Sequence, residues 1–553
     1  MNNDLPNPYY YLDNFRFVLA WVQQRYADLL DQNERNFIRQ FSEVSVPSQA
    51  LLVRMVMRRG NMFRASKLHY QEIGDTARAA RELLARGWLN IDPCLDLDQL
   101  YAVLTKNEFA SAVQLSEKKE TKKADLLELA KEIFTGVRRF SDWFSPADDT
   151  LYEVAVTPLC DRLRLMFFGN LYQDWSEFVL ADLGIFNYEK VAFSDASRAF
   201  HARDDIDLYL QLHDCRERLH LGAALPVIER TIDTLVCSNP WLENRRAKLL
   251  FQIGQDYERL GDNRGALNIY ARCHYPGARL RQIRVLEKTG QTTDAQALAE
   301  SAMAAPESAE ESQNLARILP RLQRKLGKKL PRARITITPE RTDLVLPLPD
   351  DDACVEEVVR RHIERLADKG EPAPVYYVEN SLINSLFGLL CWDAIFSPLP
   401  GAFFHPFQTG PADLHSPNFH AQRAPAFQQA LAQLGTDQYR QTIRQTFKAK
   451  HGIQSPFVYW EMLNDDLLEL ALACLPAAHL EKWFVRLLDG IASNRSGFPD
   501  LIQFWPQQQR YQMIEVKGPG DRLQDNQIRF IDFCHQHQMP VSVCFVEWAP
   551  DHK

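Results

Sequence analysis

The order of helical and strand patterns near the end of the chain is the sequence feature that most restricts the folds that the chain can adopt. A helical pattern over 479–494 precedes two strand patterns, 501–505 and 511–517, which a short turn joins. Asp521 is placed to cap a further helix, and a buried-type strand pattern follows at 541–546. The order α, β, β, α, β predicts a mixed α/β domain built around a hairpin.

Two carboxylates and a lysine occupy particular places in this order. Asp500 stands at the start of one strand pattern, and Glu515 and Lys517 lie two residues apart on its hairpin partner. A strand has a period of two, so the Glu515 and Lys517 side chains share one face. Paired carboxylates repel each other unless a cation neutralises them, and hard oxygen ligands favour Mg²⁺ or Mn²⁺. The Val516 carbonyl is a further candidate ligand, because its side chain points away.

This pattern predicts metal-dependent hydrolysis of a phosphodiester bond. Beside the metal, the Lys517 ammonium can orient the attacking water and offset the charge of the phosphate. The alternative is structural: Asp500 caps a turn, and Glu515 and Lys517 form a surface pair.

Charge is distributed unevenly along the chain. Its 553 residues carry 64 basic and 72 acidic side chains, and the net charge of −8 argues against a protein that coats nucleic acid. Residues 51–90 have the opposite sign, with eight basic and three acidic residues. This window reads as helix, turn, helix and a short apolar stretch, which is compatible with a winged-helix module. We expect phosphate contacts here, the alternative being a solvated helix face; the candidates are Arg54, Arg58, Arg59, Arg64 and Lys67.

A second basic window follows. Helical patterns at 104–115 and 123–133 flank a lysine-rich loop, an arrangement that suits a small SAP-like DNA-binding hairpin. Its candidate phosphate contacts are Lys118, Lys119, Lys122 and Lys123.

From about 150 to 330 the chain is helical and weakly repetitive. Gly261 with Ala266 recurs as Gly290 with Ala295, a spacing of 29 residues. A glycine turn followed by a small packing residue is typical of tetratricopeptide-like (TPR-like) helix pairs, so we predict a degenerate α-solenoid.

The predicted fold is multidomain α+β, with a mostly α-helical N-terminal two thirds followed by an α/β, restriction-endonuclease-like nuclease domain. A basic, proline-marked hinge at 325–334 separates the two parts, and strand patterns at 335–338 and 344–346 follow it. The predicted domains are 1–95 (winged-helix-like), 96–140 (SAP-like), 141–330 (TPR-like) and 331–553 (nuclease, with a core at about 435–550). The ten cysteines include no CxxC pair, and we find neither a secretion signal nor a membrane span. We therefore expect an intracellular protein without a membrane partner.

The residues around the paired carboxylates resemble a known family. Ser-Gly-Phe-Pro-Asp-Leu at 496–501 and the stretch Glu-Val-Lys-Gly-Pro-Gly-Asp-Arg-Leu at 515–523 resemble the VRR-type nuclease domain of the PD-(D/E)xK superfamily. The block at 378–396 looks like the segment that precedes this domain in Fanconi-associated nucleases. The order of domains agrees too, so the chain is identified as a member of the Fanconi-associated nuclease family, of a compact bacterial type.

The resemblance implies particular site residues. Asp500, Glu515 and the Val516 carbonyl would bind metal, Lys517 would be catalytic, and Glu379 would reach in from a helix as a ligand of a second ion. Two Mn²⁺ or Mg²⁺ ions per site are expected.

On the following helix, Arg522 and Gln527 match positions that the family places near DNA. Asn526 stands where some members have a lysine that holds a terminal 5′-phosphate, so the resemblance does not extend to that phosphate contact.

The family also implies a substrate and a pathway. It predicts a structure-specific DNA nuclease that acts near 5′ flaps as an endonuclease and as a 5′-to-3′ exonuclease, by two metal ions, in interstrand crosslink repair. The partner would be branched or flapped double-stranded DNA, in the nucleoid or the nucleus, and the sequence identifies no repair-protein partner. Two alternatives remain open at this point: a dimeric Holliday-junction resolvase and a non-catalytic DNA-repair adaptor.

Overall fold

The computed structural model describes residues 7–115, 121–144, 149–173, 186–329, 339–349, 352–367 and 372–549. The chain forms two compact units, one of residues 1–185 with 200–206, the other of 186–199 with 207–553. The first unit is mainly helical, and the second contains a helical array and a mixed sheet, which confirms the predicted fold class. Within the described ranges, no helix is both long and apolar enough to cross a membrane.

The first unit combines short helices with two small sheets. Strands β1 (Met62–Arg64), β2 (Leu89–Ile91) and β5 (Leu151–Val154) form an antiparallel sheet in the order β1-β5-β2. Strand β3 (Cys94–Leu95) pairs with β4 (Arg138–Arg139). The α-helices are Tyr10–Arg25, Gln32–Phe41, Val46–Val56, Thr76–Ala85, Leu97–Val103, Lys106–Ala112, Lys123–Ile133, Phe140–Trp143 and Thr157–Phe168.

Local capping explains where several of these helices begin. The Asp96 side chain accepts from the Gln99 amide, and the Gln99 side chain accepts from the Asp96 amide in return. Thr105 and Glu108 form the same reciprocal box one helix later. Such boxes satisfy amides that the first helical turn leaves without an intrahelical partner, so they fix short helices whose intrinsic stability is low.

Seven helices begin the second unit, the first of them shared with the first unit: Arg203–His220, Leu225–Asp233, Pro240–Arg259, Asn263–Tyr270, Ala278–Lys288, Thr292–Ala304 and Ala309–Lys325. We call residues 225–325 the array, because each helix from Pro240–Arg259 onward packs against the next. Gly261 and Gly290 occupy its turns with φ of 79° and 78°. Ala266 and Ala295 are fully buried. The two sequence copies therefore have the same structural roles.

A five-stranded sheet forms the rest of the second unit. Its strands are β6 (Glu340–Leu346), β7 (Val375–Tyr377), β8 (Leu501–Trp505), β9 (Arg510–Lys517) and β10 (Val541–Trp548), in the order β6-β10-β9-β8-β7. Strand β10 is parallel to β6 and β9, and β8 is antiparallel to β9 and β7. The predicted strands 344–346, 501–505, 511–517 and 541–546 lie within these elements, whereas 335–338 and the second half of the predicted hinge, 330–334, fall outside the described residues.

Both faces of this sheet are covered by apolar packing. Ile502 and Met513 face the large core, whereas Leu501, Ile514 and Val516 face a smaller cluster on the opposite side. The surrounding helices are Val355–Ala367, Leu382–Leu390, Trp392–Ile395, Phe419–Gln422, Ala424–Ala432, Gln438–Ala449, Asp465–Cys474, Ala477–Leu488, Ile491–Asn494 and Asp525–Gln536. Both faces of β9 are buried from Met513 to Lys517, so the polar side chains of this part of the strand lie in a dry environment.

Two local expectations are wrong. The helix expected over 479–494 is two helices, Ala477–Leu488 and Ile491–Asn494, because the Gly490 backbone leaves the helical region. Asp521 does not cap the next helix and instead accepts from the Gly518 amide (3.1 Å). That helix begins at Asp525 with Gln524 as its cap, in a reciprocal box with a glutamine three residues later.

Gly497 lies where the loop before Asp500 meets the first turn of helix Asp525–Gln536. Its φ is +90°, and a Cβ there would lie 2.7 Å from the backbone carbon of Asn526. We expect Gly497→Ala to lower the free energy of unfolding by roughly 1–3 kcal/mol. An alanine is strained at this positive φ, and the Asn526 backbone would have to shift to make room for its Cβ. Urea unfolding followed by tryptophan fluorescence measures this. Gly435→Ala is the control, because nothing lies within 4 Å of a Cβ at that position; equal losses in both variants would contradict the close approach.

Candidate active site

Asp500 joins three segments of the nuclease domain by hydrogen bonds. Its carboxylate Oδ2 accepts from the Val516 amide of β9 at 2.8 Å. Its backbone carbonyl accepts from the amides of Val378 (2.8 Å) and Glu379 (3.1 Å). These bonds place the Glu379 turn, the start of β8 and the end of β9 beside one another.

Glu515 and Lys517 share one face of β9, as the strand period predicts. Lys517 Nζ lies 2.5 Å from Glu515 Oε1, and Gln527 Nε2 donates to the same oxygen at 2.5 Å. Glu515 is completely buried, and Lys517 is buried too. The second oxygen, Glu515 Oε2, is also buried, and it has no hydrogen-bond partner among the described residues. This confirms the shared face, and the burial excludes the alternative of a surface pair.

Burial strongly perturbs both carboxyl groups. Loss of hydration is the main cause that raises the pKa of Glu515 to about 7; the neighbouring Asp500 contributes to the rise, and Lys517 opposes it. Burial likewise raises the pKa of Asp500 to about 6 against the lowering effect of the Val516 amide. The charges of Glu356 and Glu379 add to the rise at Asp500. The site therefore holds carboxylates whose ionisation is costly without a cation.

Glu379 lies in the turn between β7 and helix Leu382–Leu390, not on a helix as expected. Its φ of 32° is in the left-handed region, which costs free energy for a non-glycine residue. The Tyr377 hydroxyl donates to Glu379 Oε2 (2.7 Å), and Asn380 Nδ2 donates to Oε1 (2.9 Å). Tyr377 and the nearby Glu356 carried no recognisable signal in the sequence, and Asn380 was indicated only as part of the block at 378–396.

The residues present fit a divalent cation. The donors are oxygens, which hard cations prefer, and the unpartnered Glu515 Oε2 has the chemistry of a ligand atom. Asp500, Glu515, Glu379 and the Val516 carbonyl are the residues that would hold metal. Across the described ranges, no three acidic, histidine or cysteine side chains form a ready-made metal cage.

The predicted DNA contacts differ widely in exposure. Arg54 lies 2.7 Å from Glu72 and 3.9 Å from the Tyr11 ring centre. Lys118 and Lys119 lie outside the described residues, and Gln527 is half-buried at Glu515. The candidates with exposed side chains are Arg58, Arg59, Lys67, Lys122 and Arg522.

Two of the predicted contacts have mainly structural partners. Arg64 is buried, with ion pairs to Glu108 and Asp149, each at 2.7 Å. Lys123 Nζ donates to the carbonyls of Tyr101 and Leu104. Because these partners hold both side chains within the fold, the structure does not favour phosphate contacts by Arg64 or Lys123.

Family models match three parts of the chain: "FAN1, HTH domain" at 9–90, "Fanconi anemia-associated nuclease SAP domain" at 94–143 and "VRR-NUC domain" at 435–548. The fold and the site thus define a DNA nuclease of the VRR-NUC class, a class that depends on divalent metal. A Fanconi-associated nuclease 1 homolog from Pseudomonas aeruginosa is 54% identical over 551 residues, covering 99% of this chain and 97% of the relative. The chain therefore belongs to the Fanconi-associated nuclease 1 family and is of the bacterial type.

Other similarities agree with this assignment. The Arabidopsis thaliana homolog is 24% identical over 97% of this chain and 67% of its own length. The crystal structure of paFAN1 bound to 2nt 5′flap DNA with gap superposes with a TM-score of 0.91, at 53% identity, covering 99% of this chain and 100% of that one.

The raised carboxyl pKa values predict a dependence of stability on pH. Folded Glu515 holds its proton up to about pH 7 instead of its usual 4.5, so the free energy of unfolding falls as pH rises through that window. Mn²⁺ binds the deprotonated form. At a concentration of about 100 times its Kd, it should add about 2–3 kcal/mol to the free energy of unfolding near pH 7.5, and much less near pH 5.5.

Glu515→Gln should remove most of both effects. Thermal unfolding with EDTA or Mn²⁺ at the two pH values measures them. A parent chain that Mn²⁺ stabilises equally at both values would refute the role of these carboxyls.

Proposed function

We propose that this chain is a structure-specific DNA nuclease that hydrolyses phosphodiester bonds near 5′ flaps. It would act as a 5′-flap endonuclease and 5′-to-3′ exonuclease, by a two-metal mechanism, in the repair of interstrand crosslinks. The observation that carries the proposal is the buried Glu515 Oε2, which has no partner in the described part of the chain and lies beside Lys517 and Asp500.

The chain's own residues would divide the chemistry among them. Asp500, Glu515 and the Val516 carbonyl would hold one divalent cation, Mn²⁺ or Mg²⁺, and Glu379 would contribute to a second. Bound divalent cations supply Lewis-acid stabilisation of the phosphate and lower the pKa of water. Lys517 keeps Glu515 Oε1 in place and presents a positive charge to the reacting phosphate. Burial of Glu515 and Lys517 excludes bulk water from their side chains, which strengthens the electrostatic contact between them.

The substrate class is supported by similarity over the whole chain. A protein 53% identical and of the same fold has been solved with 5′-flap DNA. The crosslink-repair pathway rests on family membership alone. DNA would be the partner within the cell, and no protein partner is proposed.

The four domains predicted from the sequence are retained as part of the proposal. The first unit would bind duplex phosphates without reading bases, through the exposed cations Arg58, Arg59, Lys67 and Lys122. In the nuclease domain, the exposed Arg522 would contact a phosphate near the site.

Removing a carboxylate or the lysine should abolish cleavage and spare binding. We expect Asp500→Ala and Lys517→Ala to lower the cleavage rate by at least about a hundredfold, because Asp500 would hold the cation and Lys517 would present positive charge to the reacting phosphate. Affinity for a labelled 5′ flap should stay near that of the parent, since binding is spread over other cations. Lys482→Ala, an exposed lysine of the same domain, is the control.

The same assay separates the alternatives when 5′-flap, 3′-flap and four-way substrates are compared with Mn²⁺ and with EDTA. Full activity in Asp500→Ala would disprove the site. Preferred cleavage of four-way junctions by a dimer would identify a resolvase. A parent chain that cleaves none of these substrates would identify an adaptor.

The exposed cations of the first unit should make binding depend on salt. Counterion release gives a slope of log affinity against log salt of about −0.9 for each phosphate contact. We expect combined replacement of Arg58, Arg59 and Lys67 by alanine to reduce that slope by about 2–3. Lys131→Ala is the control, because Lys131 is paired with Asp98 and Glu128 in the same unit. An unchanged slope in the triple variant would show that these cations are only solvated surface.

A further inference from the structure

Four hydrogen bonds join the last array helix, Ala309–Lys325, to the nuclease helix Asp525–Gln536. Arg317 holds the Asp525 carboxylate with both terminal nitrogens, each at 2.7 Å. Gln313 Nε2 donates to the Asp525 carbonyl (3.1 Å), and Gln313 Oε1 accepts from Arg529 Nη1 (2.7 Å). On each helix the two residues lie four positions apart and so share one face. We call this contact, formed by Gln313, Arg317, Asp525 and Arg529, the clamp.

The helical turn that the clamp holds also carries a side chain of the active site. Gln527 lies two residues after Asp525, and its Nε2 donates to Glu515 Oε1 at 2.5 Å. Its Oε1 accepts from the Gln524 amide at 2.8 Å, which fixes the side chain at the helix start. Gln527 and Lys517 thus both donate to one oxygen of Glu515, and Oε2 is left without a partner among the residues that the structure describes.

The geometry of the clamp suits positioning better than stabilisation. The Arg317 and Asp525 side chains are 49% and 54% exposed, and an exposed ion pair adds little to overall stability. A two-pronged guanidinium–carboxylate contact nevertheless fixes both distance and orientation. One turn further along the same array helix, Arg321 forms a similar pair with Glu287 inside the array. Arg321 is therefore a matched control that does not touch the nuclease domain through that pair.

We propose that the clamp makes the array a positioning element of the nuclease site. Gln313 and Arg317 fix the start of helix Asp525–Gln536, and Gln527 consequently holds Glu515 with Oε2 directed to the metal. Residues that orient a metal ligand in this way commonly contribute to metal affinity without touching the ion. The inference rests on the proposed function, because it takes Glu515 to be a metal ligand.

The test uses the full chain with Arg317→Ala and, as control, Arg321→Ala. We expect Arg317→Ala to raise the Mn²⁺ concentration for half-maximal flap cleavage about fivefold, the scale of an exposed ion pair. It should raise the Kd for Mn²⁺ without DNA by a similar factor, measured by electron paramagnetic resonance of free Mn²⁺. Flap affinity and the unfolding midpoint should match those of the Arg321→Ala control.

A double variant separates positioning from a general loss of structure. In the Gln527→Ala background, Arg317→Ala should cause no further change in Mn²⁺ affinity, because the clamp acts through Gln527. Independent, additive effects would overturn the proposal, as would equal Mn²⁺ affinities in the Arg317→Ala and Arg321→Ala chains.

The two proposals fail in different ways. If the parent chain does not cleave flaps, the proposed function is wrong, while the Mn²⁺ affinities still decide whether the clamp acts on Glu515. If the parent cleaves flaps and the two variants bind Mn²⁺ alike, only the clamp is wrong.

Discussion

The hydrogen bonds to Asp500 hold the candidate site together. Its carboxylate binds the amide of Val516 on β9, and its carbonyl binds the amides of Val378 and Glu379, so one residue ties two strands and a turn. A single hydrogen bond contributes only about 1 kcal/mol net, but a buried group left without its partner costs more. Asp500 therefore cannot move away from Glu515 without losing these bonds. Burial raises the pKa values of both carboxyls, and nearby carboxylates add to the rise, so the site favours a cation.

Local sequence patterns predicted much of the nuclease fold. The order α, β, β, α, β and the shared face of Glu515 and Lys517 follow from periodicity, which depends only on neighbours along the chain. The same reasoning misplaced the helix start at Asp521, because the reciprocal Gln524–Gln527 box competes with it and defines a later start. Local signals thus identify elements better than they fix boundaries, where two caps of similar strength compete.

Contacts between residues far apart in sequence limited the prediction of the site. Glu379 was found only by resemblance, and no local pattern indicates that its turn is held by Asp500, Tyr377 and Asn380. The basic window at 51–90 shows the same limit, because a contact with a distant residue can also remove a candidate from the site. A count of charges cannot distinguish Arg59, which is exposed, from Arg64, whose partner Asp149 comes from a distant strand start. Which cations remain available to bind a ligand such as DNA therefore depends on how the chain packs.

Strand β6 lies outside the α, β, β, α, β order, yet it pairs with β10 along seven residues, from Glu340 to Leu346. It adds no side chain to the catalytic cluster, but it covers the backbone edge of a strand rich in valine. A fragment that began at β7 would leave that edge bare, and bare edges of apolar strands recruit strands from other copies. A nuclease fragment of this chain that does not self-associate must therefore include β6. It must begin well before Glu379, the first residue of the candidate site.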